Sequence, residues 1–114
     1  MHNRGEVWLI NLDPTVGAEI RKVRPAVIVN DDAVGILPLR VIVPITEWKD
    51  KYSVAPWMVR LVPDAENGLD KLSGADTFQV RSLSQARFVQ QLGKLSEAAM
   101  QEITKALAVV LAIE

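Results

Sequence analysis

Three short stretches of the chain put carboxylate, hydroxyl and cationic side chains closer together than turns require. In TVGAEIRKVR, residues 15–24, Glu19 is followed within six residues by Arg21, Lys22 and Arg24. A carboxylate beside three cations suits a site that binds a phosphate and offers a base. Arg24 abuts Pro25 at the mouth of an apolar strand, where the fixed φ of proline restrains the chain. The same spacing also fits a solvated loop with a local ion pair between Glu19 and an arginine. Thr46 stands just past the apolar run VIVPI and before Glu47 and Trp48. Its hydroxyl either faces a cleft at a strand end or caps a turn, and Trp48 either packs as core or stacks on a base. The third stretch, GADTFQVRS, holds Asp76, Gln79, Arg81 and Ser82. Strand alternation would place Gln79 and Arg81 on one face and Phe78 and Val80 on the other, either in a site or on an exposed polar face.

Composition narrows the chemistry further. The chain has no cysteine and one histidine, His2, so it lacks a thiol nucleophile, a thiolate zinc site and any paired-histidine mechanism. Neighbouring acids such as Asp31 with Asp32, Asp64 with Glu66, and Asp70 with Asp76 sit in turn-forming contexts that favour acids for conformational reasons. No phosphate loop, dinucleotide fingerprint or interpretable Ser/His/Asp set is present. No metal and no cofactor are expected. Thirteen Lys and Arg against fourteen Asp and Glu give a net charge of -1, so a nucleic acid would have to be held by a local patch.

These candidates need elements to position them. At 114 residues, 49% hydrophobic and 24% charged, the chain is expected to form a single domain over residues 1–114 without staples. EVWLINL, residues 6–12, carries apolar residues on both faces, Val7 and Leu9 on one and Trp8, Ile10 and Leu12 on the other, as a strand covered on both sides would. Residues 13–24 read as a polar loop. Further strands are expected over 25–30, 39–45, 57–62, 76–80 and 87–92, with Pro44 marking an edge or a bulge. Short strands in close succession, mostly without helices between them, predict an antiparallel, strongly bent sheet or small barrel. The chain then changes period. Met100, Ile103, Leu107, Val110 and Leu111 recur at helical steps behind Ser96, a suitable N-cap. The last turns of this helix are apolar almost all round, so either a second subunit or neighbouring loops must cover them. The longest apolar run, residues 106–113, is far too short to span a membrane, and a soluble cytoplasmic protein is expected.

GEVWLINLDPTVGAEIRKVRPAVIVN, residues 5–30, resembles the N-terminal signature of the MazF/PemK toxins. VIVPIT, residues 41–46, and residues 67–96, which contain GADTFQVRS, resemble its second and third motifs in the same order. The resemblance implies an SH3-like antiparallel β-barrel with a C-terminal helix, acting as a homodimer. It also implies a sequence-specific, metal-independent ribonuclease that cuts single-stranded RNA and is blocked by a cognate antitoxin. By that resemblance Arg24 and Thr46 are the catalytic pair, Glu19 is the acidic residue of the first loop, and Gln79 contacts substrate. Where the family often has serine, this chain has Ala18, so a phosphate contact there would run through the backbone N–H, with Lys22 adding charge and Trp48 a stacking surface. A CcdB-type toxin of related fold that inhibits DNA gyrase without cutting RNA is the alternative.

Overall fold

Seven antiparallel strands and one helix make up the computed structural model, which describes residues 2–114. The strands are β1 (Glu6–Asn11), β2 (Val23–Ile28), β3 (Leu39–Glu47), β4 (Met58–Leu61), β5 (Ser73–Asp76), β6 (Arg81–Ser84) and β7 (Phe88–Lys94), followed by α1 (Glu97–Leu111). They lie side by side in the order β4-β5-β3-β2-β1-β7, with β6 also pairing with β3. This is the antiparallel sheet with a C-terminal helix that the sequence implies.

The double-faced apolar pattern of β1 has its reason in the packing. Val7, Val27, Val43 and Ile45 bury one face of the sheet together with Leu61, Ala75, Met100 and Ile103. Ile10, Leu12, Ala26, Ile28, Ile42 and Leu83 bury the other, with Trp8 and Phe88 packed against them. The helix begins where expected, the Ser96 hydroxyl accepting from the Ala99 N–H at 3.1 Å. Met100, Ile103 and Ala106 turn inward. Val109, Leu111 and Ile113 remain 61%, 54% and 62% exposed, so among the described residues no loop covers the apolar end of the helix.

Two expectations need correction. Residues 76–80 are not a strand: β5 ends at Asp76, a 3-10 turn occupies Thr77–Gln79, and β6 starts at Arg81. The Asp76 carboxylate accepts from the Phe78 N–H at 3.1 Å and draws the chain into that turn. The turn ends the strand alternation that would place Gln79 with Arg81. The second correction concerns the start of β2 and the end of β3. Both strands run further than expected, so that Arg24 and Thr46 lie inside strands.

The sheet is closed on itself by a close backbone crossing. The β4–β5 connection passes over β7, and the Lys94 N–H donates to the Glu66 carbonyl at 2.8 Å. A Cβ on Gly68 would lie 2.1 Å from the Leu92 carbonyl oxygen, and one on Gly93 would lie 2.1 Å from that of Glu66. Only glycine admits the crossing at these two points.

Candidate active site

Where β2 and β3 part, a cleft opens. The two strands pair from Ile28↔Ile42 to Ala26↔Pro44. Beyond that point β2 stays with β1 as far as Asn11↔Val23, while β3 turns to β5 from Ile45↔Ala75 to Glu47↔Ser73. One proline, Pro25, explains the parting. The Val29 N–H donates to the Val41 carbonyl at 2.9 Å, so residues 29 and 41 are a hydrogen-bonded pair, and alternation makes 25 and 45 one too. Pro25 has no N–H to give the Ile45 carbonyl, and the ladder stops. By the same alternation the nitrogen of Pro44 faces away from β2. There its other neighbour changes from β6, at Ile42↔Arg81, to β5, at Ile45↔Ala75, and no ladder bond is lost. Pro44 is thus tolerated inside a central strand whose pairing with β2 runs through it without a register shift, not at the edge or bulge expected there.

The resulting cleft has a volume of about 630 Å³. Continuing the β2–β3 register by two residues would set Arg24 opposite Thr46, and both line the opening. Ala18, Glu19, Ile20 and Arg21 of the β1–β2 loop form one wall, and Gly68, Leu69, Asp70 and Lys71 form another. The Arg24 Nε donates to the Arg21 carbonyl at 3.3 Å. Among the described residues the Arg24 guanidinium has no carboxylate partner, which leaves its terminal nitrogens for a ligand. The Glu19 Oε1 accepts from the Val16 N–H at 2.5 Å and so braces its own turn. Glu47 and Lys71 approach to 3.8 Å at the rim, an exposed pair that salt would screen.

The sequence-predicted residues divide here. Arg24, Thr46, Glu19 and Ala18 are brought together on the cleft, and Lys49 joins them as a further cation that sequence reasoning missed. Lys22 and Trp48 are not among the lining residues. Lys22 adopts a left-handed backbone with φ 72° while its carbonyl accepts from the Leu12 N–H at 2.9 Å. Trp48 packs edge-on to Tyr52, ring centroids 5.7 Å apart, and lies against Gly74. Gln79 reaches across to the β1–β2 loop, its Oε1 accepting from the Ile20 N–H at 2.6 Å. The turn acids Asp31, Asp64 and Asp76 accept from backbone N–H groups of their own turns. Among the described residues no three or more His, Asp or Glu side chains cluster as metal ligands would. Nor is any helix there long and apolar enough to cross a membrane.

The chain belongs to the family of PemK-like, MazF-like toxins of type II toxin-antitoxin systems, which matches residues 3–111. It is 33% identical over 113 residues to the endoribonuclease MazF9 of Mycobacterium tuberculosis, covering 94% of this chain and 93% of that one. It is 35% identical over 108 residues to the endoribonuclease MazF of Staphylococcus epidermidis, covering 94% and 88%. Among solved structures, MazF from Deinococcus radiodurans superposes with a TM-score of 0.80 at 24% identity, over 97% of this chain and 96% of that one. A mycobacterial endoribonuclease in complex with its cognate antitoxin superposes at 0.79 with 21% identity, over 98% and 96%.

Proposed function

We propose that this chain is a sequence-specific endoribonuclease toxin that cuts single-stranded RNA without a metal, arrests translation, and is silenced by a cognate antitoxin that covers its cleft. The observation that carries this reading is the placement of Arg24 and Thr46 on the two strands that part to form the cleft, with Glu19 on the adjoining loop. The names of the two relatives support the reaction class.

The substrate supplies its own nucleophile. The 2′-OH attacks the adjacent phosphorus, the bond to the 5′-oxygen breaks, and that oxygen takes a proton from solvent and leaves as the 5′-OH of the second product. The first product ends in a 2′,3′-cyclic phosphate. DNA has no such hydroxyl and survives. Arg24 remains protonated at ordinary pH and stabilises the charge that builds on the non-bridging oxygens. Thr46 donates to the same phosphate, and Glu19 accepts the 2′-OH proton. The Ala18 backbone and Lys22 meet the neighbouring phosphates, and Trp48 serves the flanking bases. The active species is a cytoplasmic homodimer, formed through the apolar end of α1.

The test is cleavage of a long single-stranded RNA in EDTA by the protein and by Arg24→Ala, with the product ends mapped. Cuts at one recognition sequence with cyclic phosphate ends are expected, and Arg24→Ala should lower the rate on the order of 100-fold. A change within threefold would remove Arg24 from the mechanism. Intact RNA from a folded wild-type protein would overturn the reading in favour of a protein-targeting toxin.

A further inference from the structure

The β1–β2 loop contributes four residues to the cleft, yet it is tied to the rest of the fold by a side chain far away in sequence. The Gln79 Oε1 accepts from the Ile20 N–H at 2.6 Å, and its Nε2 donates to the Ala18 carbonyl at 3.4 Å and to the Asp76 carboxylate at 3.3 Å. Asp76 is itself fixed by the Phe78 N–H, at 3.1 Å. We infer that Asp76 and Gln79 form a clamp that sets the shape of the Ala18–Arg21 wall, making Gln79 a positioning residue for the cleft.

Geometry gives each atom a separate task. An amide side chain is the one common group that can accept from Ile20 and donate to Ala18 and Asp76 at once. The Asp76 carboxylate selects the amide orientation, because only the NH₂ end can face it. The clamped stretch includes Glu19, and it includes Arg21, whose carbonyl holds the Arg24 Nε. Releasing the clamp therefore displaces the proposed base and loosens the proposed phosphate-binding arginine together. A Gln79 that instead read a base or the sugar would act on the substrate and leave the free loop unchanged.

The effect on cleavage rests on the ribonuclease reading, whereas the effect on the loop does not, so two readouts separate them. The first is hydrogen exchange at the Ile20 amide, with the buried Val27 amide as a control for global folding. In Gln79→Ala the Ile20 amide should exchange about three- to tenfold faster, with Val27 unchanged, as expected for the loss of one hydrogen bond. The second is steady-state RNA cleavage, in which kcat should fall about tenfold while KM moves little, because the reacting groups are misplaced.

Donor and acceptor can also be exchanged. Gln79→Glu keeps the acceptor for Ile20 but sets a second carboxylate against Asp76, and should loosen the loop. Adding Asp76→Asn offers the introduced carboxylate a donor in place of that charge, and the double variant should recover Ile20 protection and part of kcat. Unchanged Ile20 exchange in Gln79→Ala would overturn the clamp, as would a double variant no better than Gln79→Glu alone. A rise in KM with kcat preserved would assign Gln79 to the substrate. If the wild-type protein cuts no RNA, the ribonuclease reading fails and the exchange measurements still decide the clamp.

Discussion

Burial opposes ionisation of Asp76 and holds its pKa above the usual aspartate value, while hydrogen bonds from the Phe78 N–H and from Gln79 pull the other way. The folded chain therefore holds this proton more tightly than the unfolded chain does. The stability that Asp76 contributes in this way is fully present below its ordinary value of 3.8 and is lost as pH rises through the raised one. Thermal unfolding of the wild type and Asp76→Asn across a pH series should show the wild type's relative advantage greatest in acid and shrinking toward neutrality. A gap that widened with rising pH would reverse the sign. At this scale the sequence singled out Arg24, Thr46 and Glu19, and the fold sets all three on one cleft. It named Gln79 as a candidate but not its partners, because those depend on what the fold sets beside a glutamine, here a loop some sixty residues earlier in the chain.

Strand ends were harder to read than strand centres. The apolar middles of β1, β2 and β3 announce themselves, but Ser73–Asp76 is SGAD, a poor strand sequence made a strand by burial between β3 and β4. Conversely, Thr77–Gln79 has strand-like composition and becomes a 3-10 turn because Asp76 caps it. The end of the β2–β3 ladder follows from a single missing N–H, which makes Pro25→Ala an informative change. The substituted residue would supply the donor that the Ile45 carbonyl lacks, extend the ladder and narrow the cleft. RNA cleavage should fall, and the new backbone amide at position 25 should be protected from exchange. Unfolding stability should stay within about 1 kcal/mol, since one added hydrogen bond and the lost stiffness of proline in the unfolded chain are similar in size. Full activity with a protected amide at that position would show that cleft width does not limit cutting.

For the molecule as a whole, the apolar end of α1 is unfinished business within one chain. Val109, Leu111 and Ile113 stay exposed, and on the adjoining turn and strand entry so do Phe78 and Trp57, at 67% and 38%. Sequence periodicity already showed that the helix end would need a cover, but not whether that cover came from this chain. If a second copy supplies it, sedimentation should find a wild-type dimer, and Leu111→Glu should shift it to monomer by burying a charge at the interface. A monomeric wild type, or a Leu111→Glu variant that remains dimeric, would move the interface elsewhere.

The crossing of the β4–β5 connection over β7 bears on how the cleft responds to force. Gly68 and Leu69, on the cleft wall, continue directly from the segment bonded to β7, and β7 in turn is bonded to β1, whose far end begins the loop of the opposite wall. The cleft is therefore a slot in a closed hoop. Prying its walls apart would pull on the circuit through β1 and β7.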